Sequence, residues 1–208
     1  MSKRTDIQEY VQQQITRLNA MPDGIRRAKM AAMRNGAAAI PGEIPELWGV
    51  FLNGMPFSLM GKNGPSDAEW AIYIALTCYA LHRQGNDDRE VNKEGRSFGA
   101  SVRNLAEQLA QGQEWSETVA IHYFNAMCSS VDIREIGYYL RHLIRFIRKP
   151  PMGRTITIDY PLLAADLYAL ECKDPRYPEI PADVRLRWGQ DLYRSTVKKD
   201  NENKGEND

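Results

Sequence analysis

Arg134, Arg141, Arg145 and Arg148 recur at helical spacing, and at about 100° per residue they fall within an arc of about 60°. Such a ladder can grip a chain of phosphates. Its rise is about 21 Å at 1.5 Å per residue, matching roughly six phosphates at the 3.4 Å spacing of a duplex strand and fewer along an extended single strand. Arginine suits this better than lysine, because its planar fork offers a phosphate two donors. Ile133, Ile136, Leu140, Leu143, Ile144 and Ile147 occupy the opposite side of the same helix. The ladder is therefore expected to face solvent, and its removal to leave the fold intact. Solvated helix faces usually mix signs to gain internal pairs; this helix has no acid after Glu135.

Overall charge hides this pattern, since 27 Lys and Arg balance 27 Asp and Glu. Two stretches depart from the balance. Residues 17–34 carry Arg17, Arg26, Arg27, Lys29 and Arg34 against Asp23 alone, and residues 134–154 add Lys149 and Arg154 to the ladder against Glu135 alone. Arg27 and Arg34 share a face two turns apart with Met30 between them, and are expected to form a second phosphate contact. With Arg96 and Arg103 they complete the candidate nucleic-acid-binding set of Arg27, Arg34, Arg96, Arg103, Arg134, Arg141, Arg145 and Arg148.

Catalytic chemistry finds no comparable support. Gly61-Lys62-Asn63-Gly64 lacks the spacing of a phosphate loop and the hydroxyl that would hold magnesium. His82, His122 and His142 have no carboxylate or Cys at metal-ligand spacing, and structural roles are expected for them. Asp159 and Asp166, two helical turns apart, could pair in an acid–base or metal site; Asp159 also stands where it would cap the helix beginning near Pro161, and that role is expected. Ser97 lacks the context of a nucleophile elbow. Trp70, Trp115 and Trp188 fall on apolar stripes and read as core. No cofactor, no metal and no enzyme activity are expected.

The elements that must position these residues are helical. Apolar residues recur with a period near 3.6 almost throughout, and no alternation with period two persists beyond about four residues. An all-α fold follows. Helices are predicted at 5–21, with Pro22-Asp23-Gly24 as its stop, and at 25–35. Residues 41–65, rich in Pro and Gly, read as a loop with one brief helix near 47–52. Ser66 and Glu69 have capping-box spacing and open a helix over 67–84, with Gly85 as its stop. Helices follow at 98–111, at 117–128 with Ser116 as cap, from Asp132 to the Pro150-Pro151 pair, from Pro161 to about Cys172, and over 182–197. Residues 155–158 form an extended link, and 198–208, without an apolar residue, a disordered tail. A soft division near Gly112 separates an N-terminal helical part, 1–112, from a C-terminal four-helix bundle, 113–197.

With 208 residues the chain can bury a core without disulfide or metal. Cys78, Cys128 and Cys172 are odd in number, distant and set in apolar stretches, which fits a reducing cytoplasm. The N-terminus lacks a signal-peptide core, and the longest apolar run, 70–81, is too short to span a bilayer. No membrane partner is expected.

Several segments resemble the small-subunit family of the type I-E CRISPR surveillance complex, called CasB within Cascade. Lys29-Met30-Ala31-Ala32-Met33-Arg34 is similar to its early small-residue segment, and Trp70 with Tyr79-Ala80-Leu81-His82 to its Trp helix ending in Leu-His. Gly95-Arg96-Ser97-Phe98-Gly99 resembles its Ser-Phe-Gly turn. Tyr139-Leu140-Arg141-His142-Leu143-Ile144, Ile156-Thr157-Ile158-Asp159-Tyr160, Ala165-Asp166-Leu167 and Arg187-Trp188 then match its C-terminal run in order. The likeness covers about residues 24–195. It departs before Phe124, where His122-Tyr123 stands in place of the family's Arg. The resemblance implies an all-α, non-enzymatic subunit in antiviral defence, present in two copies and contacting other Cascade subunits, guide RNA and target DNA. It further implies backbone contacts that stabilise the target R-loop and its displaced strand. Two other classes compete. A free-standing helical DNA-binding regulator would need a recognition helix after a tight turn, and the helix opened by Asp132 is too long and too continuously apolar on one face for that. A helical metal enzyme would need paired carboxylates and His on facing helices, which so few histidines do not favour.

Overall fold

Ser66 accepts a hydrogen bond from the Glu69 amide while the Glu69 carboxylate takes the Ser66 amide at 2.7 Å, closing the capping box that starts α4 (Asp67–Arg83). Every residue of α4 from 71 to 80 is buried. A helix apolar all round has to be enclosed, and the other elements enclose it. In the computed structural model, which describes residues 2–171 and 180–194, α4 packs against α1 (Lys3–Ala20), α2 (Asp23–Asn35), α7 (Ile133–Arg148) and α8 (Tyr160–Leu170). α5 (Phe98–Ala110) lies on α6 (Val119–Ser129) and α9 (Ile180–Tyr193), α6 lies on α7, and α8 joins α1 to α9. A short α3 (Trp48–Phe51) and two 3₁₀ turns make up the loop between α2 and α4. The described residues contain no strand. Residues 91–93 and Ile158 meet only through one isolated parallel bridge.

The helix starts follow the capping logic at most positions. Asp132 accepts from the amides of Arg134 and Glu135 to open α7, and Asp159 from Leu162 to open α8 at Pro161. Ser97 caps α5. Ser116, expected to cap the next helix, does not. It sits inside a 3₁₀ turn, Trp115–Glu117, and α6 begins after Thr118, whose hydroxyl donates back to the Trp115 carbonyl at 2.8 Å. The last helix starts at Ile180, two residues before its expected start. It ends at Tyr193, short of its expected end at 197, and the tail 198–208 and Cys172 lie outside the described residues. Gln111 (φ 42°) and Gly112 (φ 94°) turn the chain at the expected division, and buried apolar residues from both sides of that turn form one contiguous cluster.

Three contacts tie distant segments together. His82 Nδ1, at the end of α4, lies 3.0 Å from the Tyr160 hydroxyl at the start of α8. Burial first, then Arg83, pushes the His82 pKa down to about 3, against a hydrogen bond to the Ile156 backbone. On α8, Asp166 is 1% exposed at its side chain; it accepts from Trp188 Nε1 at 2.9 Å, from Arg187 and from Arg4 at 3.2 Å. One carboxylate thus joins α1, α8 and α9. Burial raises its pKa above the usual carboxylate value while Arg187, Trp188 and Arg4 oppose that shift. Finally, α5 crosses α9 with Gly99 directly against the Trp188 backbone, so a Cβ at Gly99 would collide with the Trp188 carbonyl.

That crossing predicts that Gly99→Ala lowers stability by about 1–3 kcal/mol, the usual range for overpacking. Gly189→Ala, whose Cβ meets nothing within 4 Å, should leave stability equal or raise it by up to about 1 kcal/mol. Urea midpoints compare the two, and equal midpoints would refute the close approach. His82 gives a pH signature. Its folded pKa, about 3, lies below the ordinary 6.5, so the unfolded chain binds the extra proton and stability falls as pH drops below 6.5. Between pH 7.5 and 5.0 the protein should lose about 2 kcal/mol more than His82→Gln; parallel losses would show that His82 stays protonatable in the fold.

Candidate nucleic-acid interface

The two basic stretches, about a hundred residues apart in sequence, meet in space because α2 and α7 both pack on α4. Arg34, in the last turn of α2, is half-buried. Burial lowers its pKa most; Asp87 opposes that shift and Arg148 adds to it, so α2 and α7 bring like charges within mutual influence. A cleft of about 430 Å³ beside them is lined by Arg26, Arg27, Arg34 and Arg83, with Met30 on its wall and Asp87 as its one acid.

The ladder on α7 is less free than its helical wheel implies. Arg145 is exposed and makes no ion pair or hydrogen bond among the described residues. Arg134 is exposed, with its guanidinium 5.5 Å from the centre of the Trp70 ring. Arg141 is half-buried and donates at 3.1 Å to the Ala37 carbonyl just beyond α2. Burial lowers its pKa in the first place, Cys78 raises it and Arg145 lowers it further. Arg148 donates to Gln84 Oε1, its own carbonyl accepts from Asn86 at 3.0 Å, and its Nε is buried without a partner. The expectation that all four arginines stand clear of the fold is therefore corrected. Their arc borders the apolar face, and Gly137 leaves room for both Ile74 of α4 and the Arg141 guanidinium, which a Cβ there would crowd.

The remaining candidates separate. Arg27 is exposed on the cleft. Arg96 is partly exposed, and its carbonyl accepts from the Asp159 amide at 3.2 Å. Arg103 is held within the fold: it pairs with Glu107 at 2.7 Å, lies 3.8 Å over the Trp115 ring and reaches the Leu192 carbonyl at 3.4 Å. Arg96 and Arg103 stand on the α5 side, apart from the cleft lining. Arg26 and Arg83, not in the candidate set, line the cleft. Arg83 was hidden by its acidic sequence neighbours; its place in the last turn of α4, donating to the Asp87 and Arg89 carbonyls at 2.9 and 2.8 Å, was the available signal.

Trp188 is core, whereas Trp70 and Trp115 are only partly buried, each with an arginine over its ring. Asp159 and Asp166 do not converge on a site. Asp159 binds the Gly95 and Leu162 amides at 2.7 and 2.8 Å, and Asp166 is enclosed by its three donors. Among the described residues no group of three or more His, Cys, Asp or Glu is placed to hold a metal, and no helix is long and apolar enough to cross a membrane.

Known proteins of the same architecture share this arrangement of helices. The chain resembles CasB from Thermobifida fusca with a TM-score of 0.67 at 24% identity, over 90% of this chain and 97% of that one. A CRISPR-associated protein of the Cse2 family from Thermus thermophilus gives 0.61 at 20% identity, over 94% and 100%. CasB from M. ruber gives 0.59 at 20%, over 89% and 93%. No curated protein sequence matches the chain. The family of CRISPR-associated protein Cse2 matches residues 29–193, a span that takes in Arg34, Arg83 and α7 but begins just after Arg26 and Arg27, and that holds all three long-range ties apart from Arg4; the chain belongs to that family.

Proposed function

We propose that the chain is a non-catalytic small subunit of a type I-E CRISPR RNA-guided surveillance complex, present in two copies beside the other Cascade subunits. Its basic surface contacts the backbones of guide RNA and target DNA and stabilises the R-loop, including the displaced strand. The observation that carries this reading is the meeting of Arg26, Arg27, Arg34 and Arg83 in one cleft at the end of α4, with Arg148 of α7 within the field of Arg34 and bonded to Gln84 of the cleft lining. Membership of a CRISPR-associated family supports it. In RNA-guided systems base pairing reads the sequence, so a subunit needs backbone affinity without a base-reading helix. Because strand exchange is nearly balanced, a few kcal/mol of such contact can tip R-loop stability. Zero net charge keeps the free subunit from binding polyanions indiscriminately. A regulator of the helix-turn-helix kind needs a helix able to enter a groove, whereas α7 has one face sealed against α4 and α6.

Arg27, Arg134 and Arg145, all exposed, are the arginines to remove together. The triple Ala variant should assemble and melt like the parent, since exposed substitutions shift stability by less than about 0.5 kcal/mol. Its target binding should be weaker, and the slope of log affinity on log salt shallower by about 0.7 for each single-strand phosphate that is no longer neutralised. Unchanged R-loop stability and slope in the assembled complex would leave these residues as ordinary solvated charge. Arg141→Ala and Arg148→Ala should differ from them by costing about 1–3 kcal/mol each in urea unfolding, because each removes a half-buried guanidinium bonded to another segment, Arg141 to the Ala37 carbonyl and Arg148 to Gln84. Costs no larger than that of Arg145→Ala would return the whole ladder to solvent.

A further inference from the structure

Beside the arginine arc, α7 carries a second solvent-side stripe that the phosphate contacts leave unused. On the helical wheel Tyr138, His142, Phe146 and Tyr139 follow the arginines over roughly the next 100°, before the apolar face begins. They form one cluster with Tyr123 of α6. His142 stacks on Tyr123 with ring centres 4.9 Å apart and planes 6° apart, and Tyr138 lies 4.6 Å from His142. Phe146 and Tyr139 lie 6.1 and 6.3 Å from Tyr123.

Packing α6 on α7 accounts for part of this cluster only. Tyr139 and Phe146 are partly buried against the core. Tyr138 is 50% exposed and makes no hydrogen bond among the described residues, so nothing in the fold requires a phenol ring there. Burial, then Arg145 and Arg141, lowers the His142 pKa, which keeps its ring neutral and suited to stacking. The only acid on α7, Glu135, stands at the first turn, and the exposed Arg145 stands next to the stripe on the helical wheel. A single strand whose phosphates follow the arginines would present its bases to these rings. Base–aromatic stacking is indifferent to sequence because every base has a π-face.

We propose that Tyr138, seated on the His142–Tyr123 stack, is a platform for an unpaired base of a single strand whose backbone the neighbouring arginines hold. The platform rests on the backbone-contact reading but adds a different chemistry, one that salt screens far less. Phosphate contacts weaken steeply with salt, while a stacked base contributes nearly the same at every salt.

The test compares a labelled 12-nucleotide oligothymidine with a strand of equal length made of abasic sugar-phosphate, by fluorescence anisotropy on the full chain across a salt series. The parent should bind the thymidine strand about tenfold more tightly, with the same salt slope for both. Tyr138→Ala should reduce the gap to about threefold or less without changing the slope, and Tyr138→Phe should keep it. The Arg27, Arg134 and Arg145 triple variant should weaken both strands alike and leave the gap in place, which separates failure of the platform from failure of the backbone surface. Equal binding of the two strands by the parent overturns the platform. So does a gap that survives Tyr138→Ala, including the case where that variant instead fails to assemble with other subunits and the patch proves a protein contact. If neither strand binds at the lowest salt, the backbone reading falls and the platform falls with it.

Discussion

The burial of α4 is the constraint on which the other helices depend. Ala71, Ile72, Ile74, Ala75, Cys78 and Ala80 point in all directions around the helix, and all are at most 1% exposed. No single layer can cover such a helix, so four others have to surround it. Every polar group on it then needs a partner inside the protein. Thr77 returns its hydroxyl to the Tyr73 and Ile74 carbonyls, Tyr73 reaches the Gly36 carbonyl at 2.7 Å, Tyr79 reaches Asn19 at 2.9 Å, and His82 meets Tyr160. These bonds fix where α2 ends and where α8 begins. The basic cleft is a consequence, since the end of α2, the end of α4 and the last turns of α7 are brought to one place by the same enclosure.

α7 shows how one helix divides its circumference. Its apolar stripe closes the core with Leu140, Leu143 and Ile144 fully buried. The arginine arc borders that stripe and the aromatic arc faces α6 and solvent. Two of the arginines therefore combine packing with charge: Arg141 and Arg148 are half-buried and direct their forks to the Ala37 carbonyl and to Gln84. Guanidinium tolerates this better than ammonium because it is more weakly hydrated and stays charged when partly buried. A positive edge held in place by the fold presents its charge at lower entropic cost than four freely rotating side chains.

The helices were legible where a local rule decided them. Asp132, Asp159 and the Ser66–Glu69 pair each place a side-chain acceptor within three residues of an unpaired amide, which sequence spacing shows directly. Ser116 misled because a tight turn over Trp115–Glu117 came first and α6 then starts after Thr118 with no side-chain cap, the Thr118 hydroxyl bonding back to Trp115. The candidate site was legible as two charged stretches and illegible as one surface. Nothing local says that Arg34 and Arg148 share a field, or that Arg83, set among acids, lines one cleft with Arg26 and Arg27. Helical periodicity placed Arg141 opposite the core, but an angle at the border of a stripe does not show which neighbouring helix overlaps it. The contacts of Arg103 were illegible for the same reason, since Glu107 and Trp115 meet it only once α5 is folded.

The segments that carry the family likeness turn out to be joints of the scaffold. The Leu-His element supplies the His82 contact to Tyr160, the Ser-Phe-Gly turn supplies both the α5 cap and the Gly99 crossing, and Asp166 binds the Arg187-Trp188 pair. Each joint tolerates little change. A methyl at Gly99 meets backbone, and loss of Asp166 strands a buried indole N–H and two guanidiniums, since an unmade buried hydrogen bond costs more than a made one gains. A surface whose task is to neutralise phosphates works under a looser rule: the field of an arginine survives a shift of one turn, because phosphates repeat along the strand and counterion release depends on how many are neutralised rather than on which side chain does it. On the proposed reading, the residues that identify the chain and the residues that act on nucleic acid are largely different sets, which overlap at Arg34, Arg96 and Arg141, each standing in a matching segment.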